Sequence, residues 1–466
     1  MRAPFDLTAG WLATAAGGRL VSGDPATVVS GISIDTRTIQ AGALYIAIRG
    51  ERLDGHAYLA DAAARGAAGL LVAEASGAPR PDGPFVIAAA DTLAALQAIG
   101  REVRRESHAT VIAITGSAGK TTTKELTAAL LESRYSVFRN RGNLNNHIGL
   151  PLSLAELKAG PDVAVVELGM NHKGEISALV ALAEPEIRVW TNVGNAHIGF
   201  FASREAIADA KAEILERPRP GDRLVVNADD PLIAGHARTF QGRVVTFGLS
   251  EGADVRAVGV TPRGIDGTDA TIETAKGSID VHVPLVGLGN LMNVLAAAAV
   301  AIELDVPLDE IARRVSGLAP ASKRGEVIRT PDGLTVIDDS YNSSPAALLQ
   351  SLAALAATGA GRRAAVLGEM LELGDHAVGL HEECGRAAAD ARLAWLVTVG
   401  GAPASAMARA ALAAGMASGA VEHVATAAEA SEAAAGRVRP GDIVLVKGSR
   451  GIGVDRVVAR LKGEAA

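Results

Sequence analysis

An apolar strand, a glycine-rich turn and a helical pattern follow one another directly between residues 110 and 133. The run TVIAI (110–114) predicts a buried strand, and KELTAALLES (124–133) predicts a helix. The glycines of the loop between them allow a tight turn that exposes backbone N–H groups, as a phosphate cradle requires. In such a loop a lysine reaches the β- and γ-phosphates and a hydroxyl binds Mg²⁺. The segment therefore predicts an α/β sheet with an ATP site at Thr115, Gly116, Ser117, Ala118, Gly119, Lys120, Thr121 and Thr122.

Composition limits the classes of protein that can contain this segment. A chain of 466 residues, 48% of them hydrophobic and 52 of them glycine, favours several globular α/β domains. The net charge of -7 and the aromatic content of 3% argue against a nucleic-acid partner. No apolar run approaches the ~20 residues of a membrane span, and no signal peptide is expected. The single cysteine, Cys384, fits a reducing compartment, so we expect a cytoplasmic protein in which Cys384 is a small buried residue.

Three domains are expected from the order of the predicted elements. Residues 1–90 alternate short strands and helices and predict a small N-terminal α/β domain. Residues 91–318 predict a central P-loop ATPase-type sheet with helices, which includes a helix at 91–106, a β-rich insertion at 251–284 and a helix at 290–304. Residues 319–466 return to regular β-α alternation, with one helix predicted from His381, and indicate a Rossmann-like C-terminal domain.

Three further side chains are candidates for chemistry near the loop. Glu167 ends the apolar strand VAVVE, and a carboxylate at the end of a neighbouring strand commonly holds the metal of an ATP site. His197 follows the strand RVWTNV, at the edge where open α/β sheets bind ligands, and is equally consistent with packing. Lys211, in ADAKAEIL, is by its local sequence an ordinary surface lysine on a helix.

The kind of nucleotide-binding protein is narrowed by what the sequence lacks. It has no Asn/Thr-Lys-x-Asp tetrapeptide of the kind that selects guanine, and no H-R-D or D-F-G kinase signature. A protein that uses ATP only to change shape remains an alternative to an enzyme, and phosphate release without both a carboxylate and an amine substrate would distinguish it.

Ten segments, in this order and over nearly the whole chain, resemble the Mur ligases. The paired Asn145 and Asn146 and the segment DDSYN are more similar to the dipeptide-adding member than to its sister ligases or to folylpolyglutamate synthase, which remain alternatives. The ten segments are SIDTRTIQAGALYIAIRGERLDGH (33–56), TGSAGKTTTKE (115–125), GNLNNHIGLPLSL (142–154), VELGMNHKGEI (166–176), NVGNAHIGFF (192–201), AKAEI (210–214), NADDP (227–231), DDSYNSSP (338–345), LGEMLELG (367–374) and VKGSRGIG (446–453).

The resemblance assigns substrate and metal contacts to matching positions. It implies that Asn145 and Asn146 face the phosphates of the substrate. It implies a uridine-nucleotide pocket at Ser33, Asp35, Thr36 and Arg37. It also implies two Mg²⁺ sites, with carbamylation converting Lys211 into an anionic oxygen ligand. The implied metal ligands are Thr121, Glu167, His197 and Lys211.

The nucleotide contacts are implied in the same way, with two departures from the family pattern. Asn290 matches an adenine contact and Asp339 a ribose contact, but the helix start reads Gly-Leu-Gly-Asn where the family has Gly-Arg-His-Asn. The segment before Arg324 reads Pro-Ala-Ser-Lys instead of Pro-Gly-Arg, so either Lys323 or Arg324 could contact the γ-phosphate, and we favour Arg324. The implied catalytic residues are Lys120, Glu167, His197, Lys211 and Arg324.

The reaction that the resemblance implies has three small substrates. ATP would activate the carboxylate of UDP-N-acetylmuramoyl-tripeptide as an acyl phosphate, and D-alanyl-D-alanine would supply the amine, in peptidoglycan precursor synthesis. Separate domains closing over the substrates would supply orientation and exclude water. We expect a monomer, and the sequence leaves open whether the third residue of the tripeptide is lysine or diaminopimelate.

Overall fold

Three β-sheets with flanking helices build the protein. The computed structural model describes residues 4–50, 52–359 and 361–463, and the α/β class predicted from the sequence is confirmed. The chain divides into two compact units. The first contains the chain up to Ile114, Arg134–Arg188 and Glu213–Asp222, and the second contains Thr115–Ser133, Val189–Ala212 and the chain from Arg223 onward.

The N-terminal sheet has five strands in the order β1-β5-β4-β3-β2, with β1 antiparallel to β5 and the other pairs parallel. Its central strands are continuous apolar runs, as expected where both faces of a parallel sheet are covered. Tyr45, Leu70 and Val72 form its buried core with Leu59. The elements are α1 Ala9–Ala15, β1 Arg19–Ser22, β2 Ile32–Ser33, β3 Leu44–Ile46, α2 Leu59–Ala64, β4 Gly69–Ala73 and β5 Phe85–Ala89.

A nine-stranded sheet follows, in the order β14-β13-β12-β11-β10-β9-β6-β8-β7. Strands β12 to β14 are antiparallel and confirm the β-rich insertion predicted at 251–284. The strands are β6 Thr110–Thr115, β7 Val137–Arg139, β8 Val163–Glu167, β9 Ile187–Trp190, β10 Arg223–Asn227, β11 Arg243–Gly248, β12 Val255–Pro262, β13 Thr268–Thr274 and β14 Gly277–Val283.

The helices around these strands agree with the two long helices predicted for this part of the chain. The helix predicted at 91–106 is observed at Thr92–Ser107, where the Asp91 side chain accepts hydrogen bonds from the first turn. The helix predicted at 290–304 is observed at Leu288–Glu303. The helices are α3 Thr92–Ser107, α4 Lys120–Leu131, α5 Gly149–Ala155, α6 Glu175–Ala183, α7 Arg204–Lys211, α8 Pro231–Ala237, α9 Leu288–Glu303 and α10 Leu308–Ser316.

The C-terminal sheet has six strands in the order β15-β16-β20-β17-β18-β19, parallel except for β15. Val366, Val397 and Val444 lie in its buried core. The elements are β15 Glu326–Arg329, β16 Thr335–Asp339, α11 Pro345–Ala356, β17 Arg362–Gly368, α12 Ala377–Asp390, β18 Trp395–Val399, α13 Ala402–Ala413, β19 Val421–Val424, α14 Ala427–Ala435, β20 Asp442–Lys447 and α15 Asp455–Leu461.

Helix α12 begins at Ala377, four residues before the predicted start at His381. His381 is fully buried inside the helix, where its Nδ1–H donates to the carbonyl of Ala377 and its Nε2 accepts from the backbone N–H of Met370. Burial lowers the pKa of His381, which favours this neutral form. The same helix buries Cys384 and raises the pKa of its thiol to about 12. Among the described residues, we find no helix with the length and apolar character to cross a membrane.

Candidate active site

The predicted phosphate loop lies between the end of β6 at Thr115 and the start of α4 at Lys120. The helix starts four residues before the predicted pattern because the loop turns directly into it at Gly119, whose φ is +80°. A side chain at Gly119 would collide with the amide of Asn293, and one at Gly116 would collide with the hydroxyl of Thr191. Both glycines are therefore needed for the close packing of the loop, as well as for its turn.

Two lysines converge on one carbonyl of this loop. The Nζ atoms of Lys120 and Lys211 donate to the carbonyl oxygen of Gly116 at 2.9 Å and 3.1 Å. Lys211 is 1% exposed at the end of α7, so the expectation of an ordinary surface lysine is wrong. Two ammonium groups at one loop favour an anion there, and phosphate oxygens have the matching charge.

His197 lies in the same compact unit and is influenced by both lysines. Its Nδ1 lies 2.6 Å from the Oε2 of Glu372. Burial lowers the pKa of His197 most, the positive charges of Lys120 and Lys211 lower it further, and Glu372 opposes them. The neutral imidazole is therefore favoured, which is the form that binds metals.

Glu167 ends β8 and is buried, with 3% of the residue exposed. In the parallel register it pairs with Ile114, the residue before the phosphate loop begins at Thr115. Its Oε1 accepts a hydrogen bond of 2.7 Å from the Nδ2 of Asn145, so two residues predicted separately, one for metal and one for substrate, are in contact. The Oδ1 of Asn146 instead accepts from the backbone N–H groups of Ile148 and Gly149 at the start of α5.

Arg324 and Lys323, the two candidates for the γ-phosphate contact, have different partners. The Nη2 of Arg324 donates to the hydroxyl of Thr121 at 3.1 Å, at the start of the helix that follows the phosphate loop. Its guanidinium lies 4.1 Å from the ring centroid of Tyr341, a cation–π contact. Lys323 forms an ion pair of 2.7 Å with Asp455 instead. This geometry favours Arg324 as the residue available to a phosphate on the loop.

The predicted adenine and ribose contacts are held by polar side chains that sequence reasoning missed. The Oδ1 of Asn290 accepts from Asn293 at 3.1 Å, and Asn293 in turn accepts from the hydroxyl of Thr123 at 3.2 Å. The Oδ2 of Asp339 accepts from Lys447 at 2.6 Å. Asn293 follows Asn290 by three residues on α9, and residues with this spacing lie on one face of a helix. The sequence could therefore have indicated Asn293. Tyr341, Glu372 and Lys447 lie within motifs that carry the resemblance, but the resemblance implies no role for them.

The predicted uridine-nucleotide residues form a turn of their own in the first unit. The carboxylate of Asp35 accepts from the backbone and the guanidinium of Arg37, at 2.9 Å and 2.6 Å, and the Ser33 hydroxyl donates to the carbonyl of Asp35. The hydrogen bond from Arg37 lowers the pKa of Asp35. Thr36 is buried, and its hydrogen bond lowers the pKa of Asp61.

Known proteins match this chain from end to end. Three family models match it: "Mur ligase family, catalytic domain" over residues 28–132, "Mur ligase middle domain" over residues 114–301 and "Mur ligase, glutamate ligase domain" over residues 323–450. The UDP-N-acetylmuramoyl-tripeptide--D-alanyl-D-alanine ligase of Bacillus subtilis is 34% identical over 93% of each chain. Its counterpart from Mycobacterium tuberculosis is 35% identical over 98% of each chain.

The chain belongs to the Mur ligase family. Mur ligases form an amide bond at the expense of ATP, so the prediction of a ligase is confirmed. The MurF structure from Acinetobacter baumannii has a TM-score of 0.89 and 31% identity, and covers 99% of this chain and 100% of its own. MurF from Thermotoga maritima, solved in complex with ADP, has a TM-score of 0.81 and 29% identity over 93% of this chain and 97% of its own. The three-domain organisation is confirmed, whereas the boundaries at residues 90 and 318 remain predictions.

Proposed function

We infer that this chain joins D-alanyl-D-alanine to UDP-N-acetylmuramoyl-tripeptide in an ATP-dependent step of peptidoglycan precursor synthesis. The similarity to ligases named for this reaction carries the conclusion, because it extends over 93% to 98% of both chains. The structure adds a physical basis for ATP binding, because Lys120 and, through Thr121, Arg324 lie at the glycine loop.

The chemical step brings two anions together, a carboxylate and the γ-phosphate of ATP. We propose that Lys120 and Arg324 offset the charge that accumulates as the carboxylate attacks the γ-phosphate, ADP leaves and the acyl phosphate forms. The amine of D-alanyl-D-alanine then attacks the acyl carbon, and phosphate leaves as the amide forms. The main contribution of the protein to such a transfer is to hold the reacting groups of the three substrates in the correct orientation.

Mg²⁺ fits the chemistry of the predicted ligands in part. Hydroxyl and carboxylate oxygens suit a hard cation, and bound Mg²⁺ would neutralise phosphate charge. Within residues 4–50, 52–359 and 361–463, no group of three His, Cys, Asp or Glu side chains could hold a metal ion. We propose, from the family resemblance, that Lys211 is carbamylated, because a carbamate supplies an anionic oxygen whereas an ammonium would repel the cation. The proposed ligands are Thr121, Glu167, His197 and Lys211.

The remaining assignments are proposals of the same kind. Asn290 would contact adenine, Asp339 the ribose, and Asn145 and Asn146 the substrate phosphates. The turn Ser33 to Arg37 would bind the uridine nucleotide. A monomeric state and a cytoplasmic location also remain predictions, and the third residue of the tripeptide stays open.

Amine selection is the most direct test of the proposed function. ADP release should require UDP-N-acetylmuramoyl-tripeptide and should rise strongly when D-alanyl-D-alanine is added. A site that pairs the peptide group and terminal carboxylate of a dipeptide should discriminate against free D-alanine and L-lysine, which leave those partners unpaired. Faster ADP release with L-lysine or diaminopimelate than with D-alanyl-D-alanine would show that the chain catalyses the reaction of a sister ligase. ADP release that needs neither the carboxylate nor the amine substrate would indicate a protein that uses ATP only to change shape.

A further inference from the structure

Two arginines lie over the ring of one tyrosine at the edge of the C-terminal sheet. The guanidinium of Arg324 is 4.1 Å from the ring centroid of Tyr341, and the guanidinium of Arg450 is 5.8 Å from it. Tyr341 follows β16 and Arg450 follows β20, and these two strands are parallel neighbours. Both residues therefore lie where the carboxyl ends of the strands meet, which is the edge at which open α/β sheets bind ligands.

The two arginines differ in their other partners. The Nη2 of Arg324 donates to the hydroxyl of Thr121, beside the phosphate loop. Arg450 is exposed, and its guanidinium makes no hydrogen bond or ion pair with any residue that the structure describes. A cation–π contact positions a guanidinium without using its N–H donors. Arg450 is therefore a positioned cation whose hydrogen-bonding groups are available to a ligand.

A buried hydroxyl at the same edge also lacks a protein partner. Ser343 lies two residues after Tyr341 and is 8% exposed, and its Oγ has no hydrogen-bond partner within residues 4–50, 52–359 and 361–463. A buried polar atom costs free energy unless a ligand or water satisfies it. Two polar groups without a protein partner, one charged and exposed and one neutral and buried, indicate that a polar ligand completes this edge.

The amine substrate of the proposed reaction has the charge that suits Arg450. A dipeptide ends in a carboxylate, which can accept two parallel hydrogen bonds from a guanidinium. An extended dipeptide spans about 7 Å, since each residue adds about 3.3–3.6 Å. Its amine has to reach the acyl phosphate near Arg324, so its carboxylate lies about one dipeptide length away. The two guanidinium carbons are no farther apart than the sum of their distances to the Tyr341 centroid, which matches such a span.

We propose that Arg450 binds the terminal carboxylate of the dipeptide and so contributes to the selection of the amine substrate. The inference rests on the proposed function and deepens it, because it names a residue that recognises that substrate. Tyr341 positions the guanidinium in this scheme. Arg450 takes no part in bond formation, which occurs at the other end of the dipeptide, between its amine nitrogen and the acyl carbon.

The test combines a change in the protein with a change in the substrate. In Arg450→Ala the KM for D-alanyl-D-alanine should rise about 10- to 100-fold, because hydrogen bonds to a charged group are lost. The KM values for ATP and for UDP-N-acetylmuramoyl-tripeptide should stay the same. D-Alanyl-D-alaninamide lacks the carboxylate, so the unchanged protein should use it with a KM higher by a similar factor. Arg450→Ala should lose most of this preference, and Arg450→Lys, which keeps the charge without the planar fork, should lie between.

Arg409→Ala is the matched control, because it removes an exposed arginine of the same sheet-and-helix domain whose side chain donates to Ser405. It should leave all of these KM values unchanged. An unaltered KM for the dipeptide in Arg450→Ala overturns the inference, and so does a rise confined to the KM for ATP or for the tripeptide, which would assign Arg450 to another anion. Equal use of the acid and the amide by the unchanged protein overturns it as well and leaves the proposed function intact. Failure of the unchanged protein to use D-alanyl-D-alanine at all would instead overturn the proposed function.

Discussion

The phosphate loop and the turn from Ser33 to Arg37 are both short segments with a predicted anionic ligand, yet they hold their charges differently. In the loop, the side chain of Lys120 is part-buried and donates to the backbone carbonyl of Gly116 at 2.9 Å. In the turn, the side chain of Arg37 is 83% exposed and pairs with Asp35. The backbone of the phosphate loop holds its cation in place, whereas the cation of the turn pairs with a neighbouring side chain.

This difference decides what a substitution should do. Removing a cation that the fold orients toward the reacting phosphate lowers the rate of the chemical step. A solvent-exposed ion pair is screened by water and salt, so its loss changes stability little and acts mainly on substrate affinity. Substitutions at the two regions should therefore differ in the size and kind of their effects.

Lys120→Ala should lower turnover by about 100- to 1000-fold, because it removes the positive charge that we propose acts on the γ-phosphate. The melting temperature should change little, since the side chain is directed to the loop carbonyl and not into an apolar core. Single-turnover ADP formation and a thermal melt measure the two effects. Lys462→Ala, at an exposed position, is the control. Turnover close to that of the unchanged protein would contradict the role of the loop.

Lys211→Ala should lower turnover about 10- to 100-fold at limiting Mg²⁺, if the carbamate supplies a metal ligand. Formate at high concentration should restore part of the activity by supplying the missing anionic oxygen. Lys211→Met fills a similar volume without an amine, so it separates the effect of a cavity from the effect of losing the amine. Activity against Mg²⁺ concentration is the measurement. Full activity at limiting Mg²⁺ would leave Lys211 as a buried structural residue.

Tyr341→Leu should raise the KM for ATP about 2- to 30-fold, because a cation–π contact contributes about 0.5–2 kcal/mol and here orients Arg324. Tyr341→Phe retains the ring and should behave like the unchanged protein. Initial rates at varied ATP give KM and kcat separately. An equal effect of leucine and phenylalanine would show that the hydroxyl, and not the ring, matters.

Asp35→Asn should have the smallest effect: a modest rise in the KM for the uridine substrate and little change in melting temperature. Because the pKa of Asp35 is lowered in the folded protein, its small contribution is present above its ordinary pKa of about 3.9 and is lost as pH falls through the lowered value. The melting temperatures of Asp35→Asn and of the unchanged protein should therefore differ less at pH 3 than at pH 7. A large loss of stability at pH 7 would remove the contrast between the two regions.

Local sequence patterns predicted the elements whose periodicity is long and uninterrupted. The helices observed at Thr92–Ser107 and Leu288–Glu303 were predicted to within two residues at each end. The start of α12 was missed by four residues because Gly379 weakens the helical signal of its first turn. The start of α4 was missed because the three β-branched threonines at 121–123 have low helix propensity, whereas the geometry of the loop imposes the helix.

The partners of the site residues could not be predicted in this way. The ion pair of Lys323 with Asp455 spans 132 positions, and the contact of His197 with Glu372 spans 175. Such contacts depend on the packing of elements that local periodicity does not relate. The burial of Lys211 has the same origin, since its own helix supplies no sign that the end of α7 meets the carbonyl of Gly116.

The chemistry of Cys384 makes the protein a convenient host for spectroscopic probes. It is the single cysteine of the chain, it is fully buried, and its thiol pKa of about 12 keeps the reactive thiolate scarce at neutral pH. A cysteine introduced at an exposed position should therefore react with a maleimide dye or spin label far faster than Cys384. Pairs of such labels would allow distances to be measured during turnover without first removing the native cysteine.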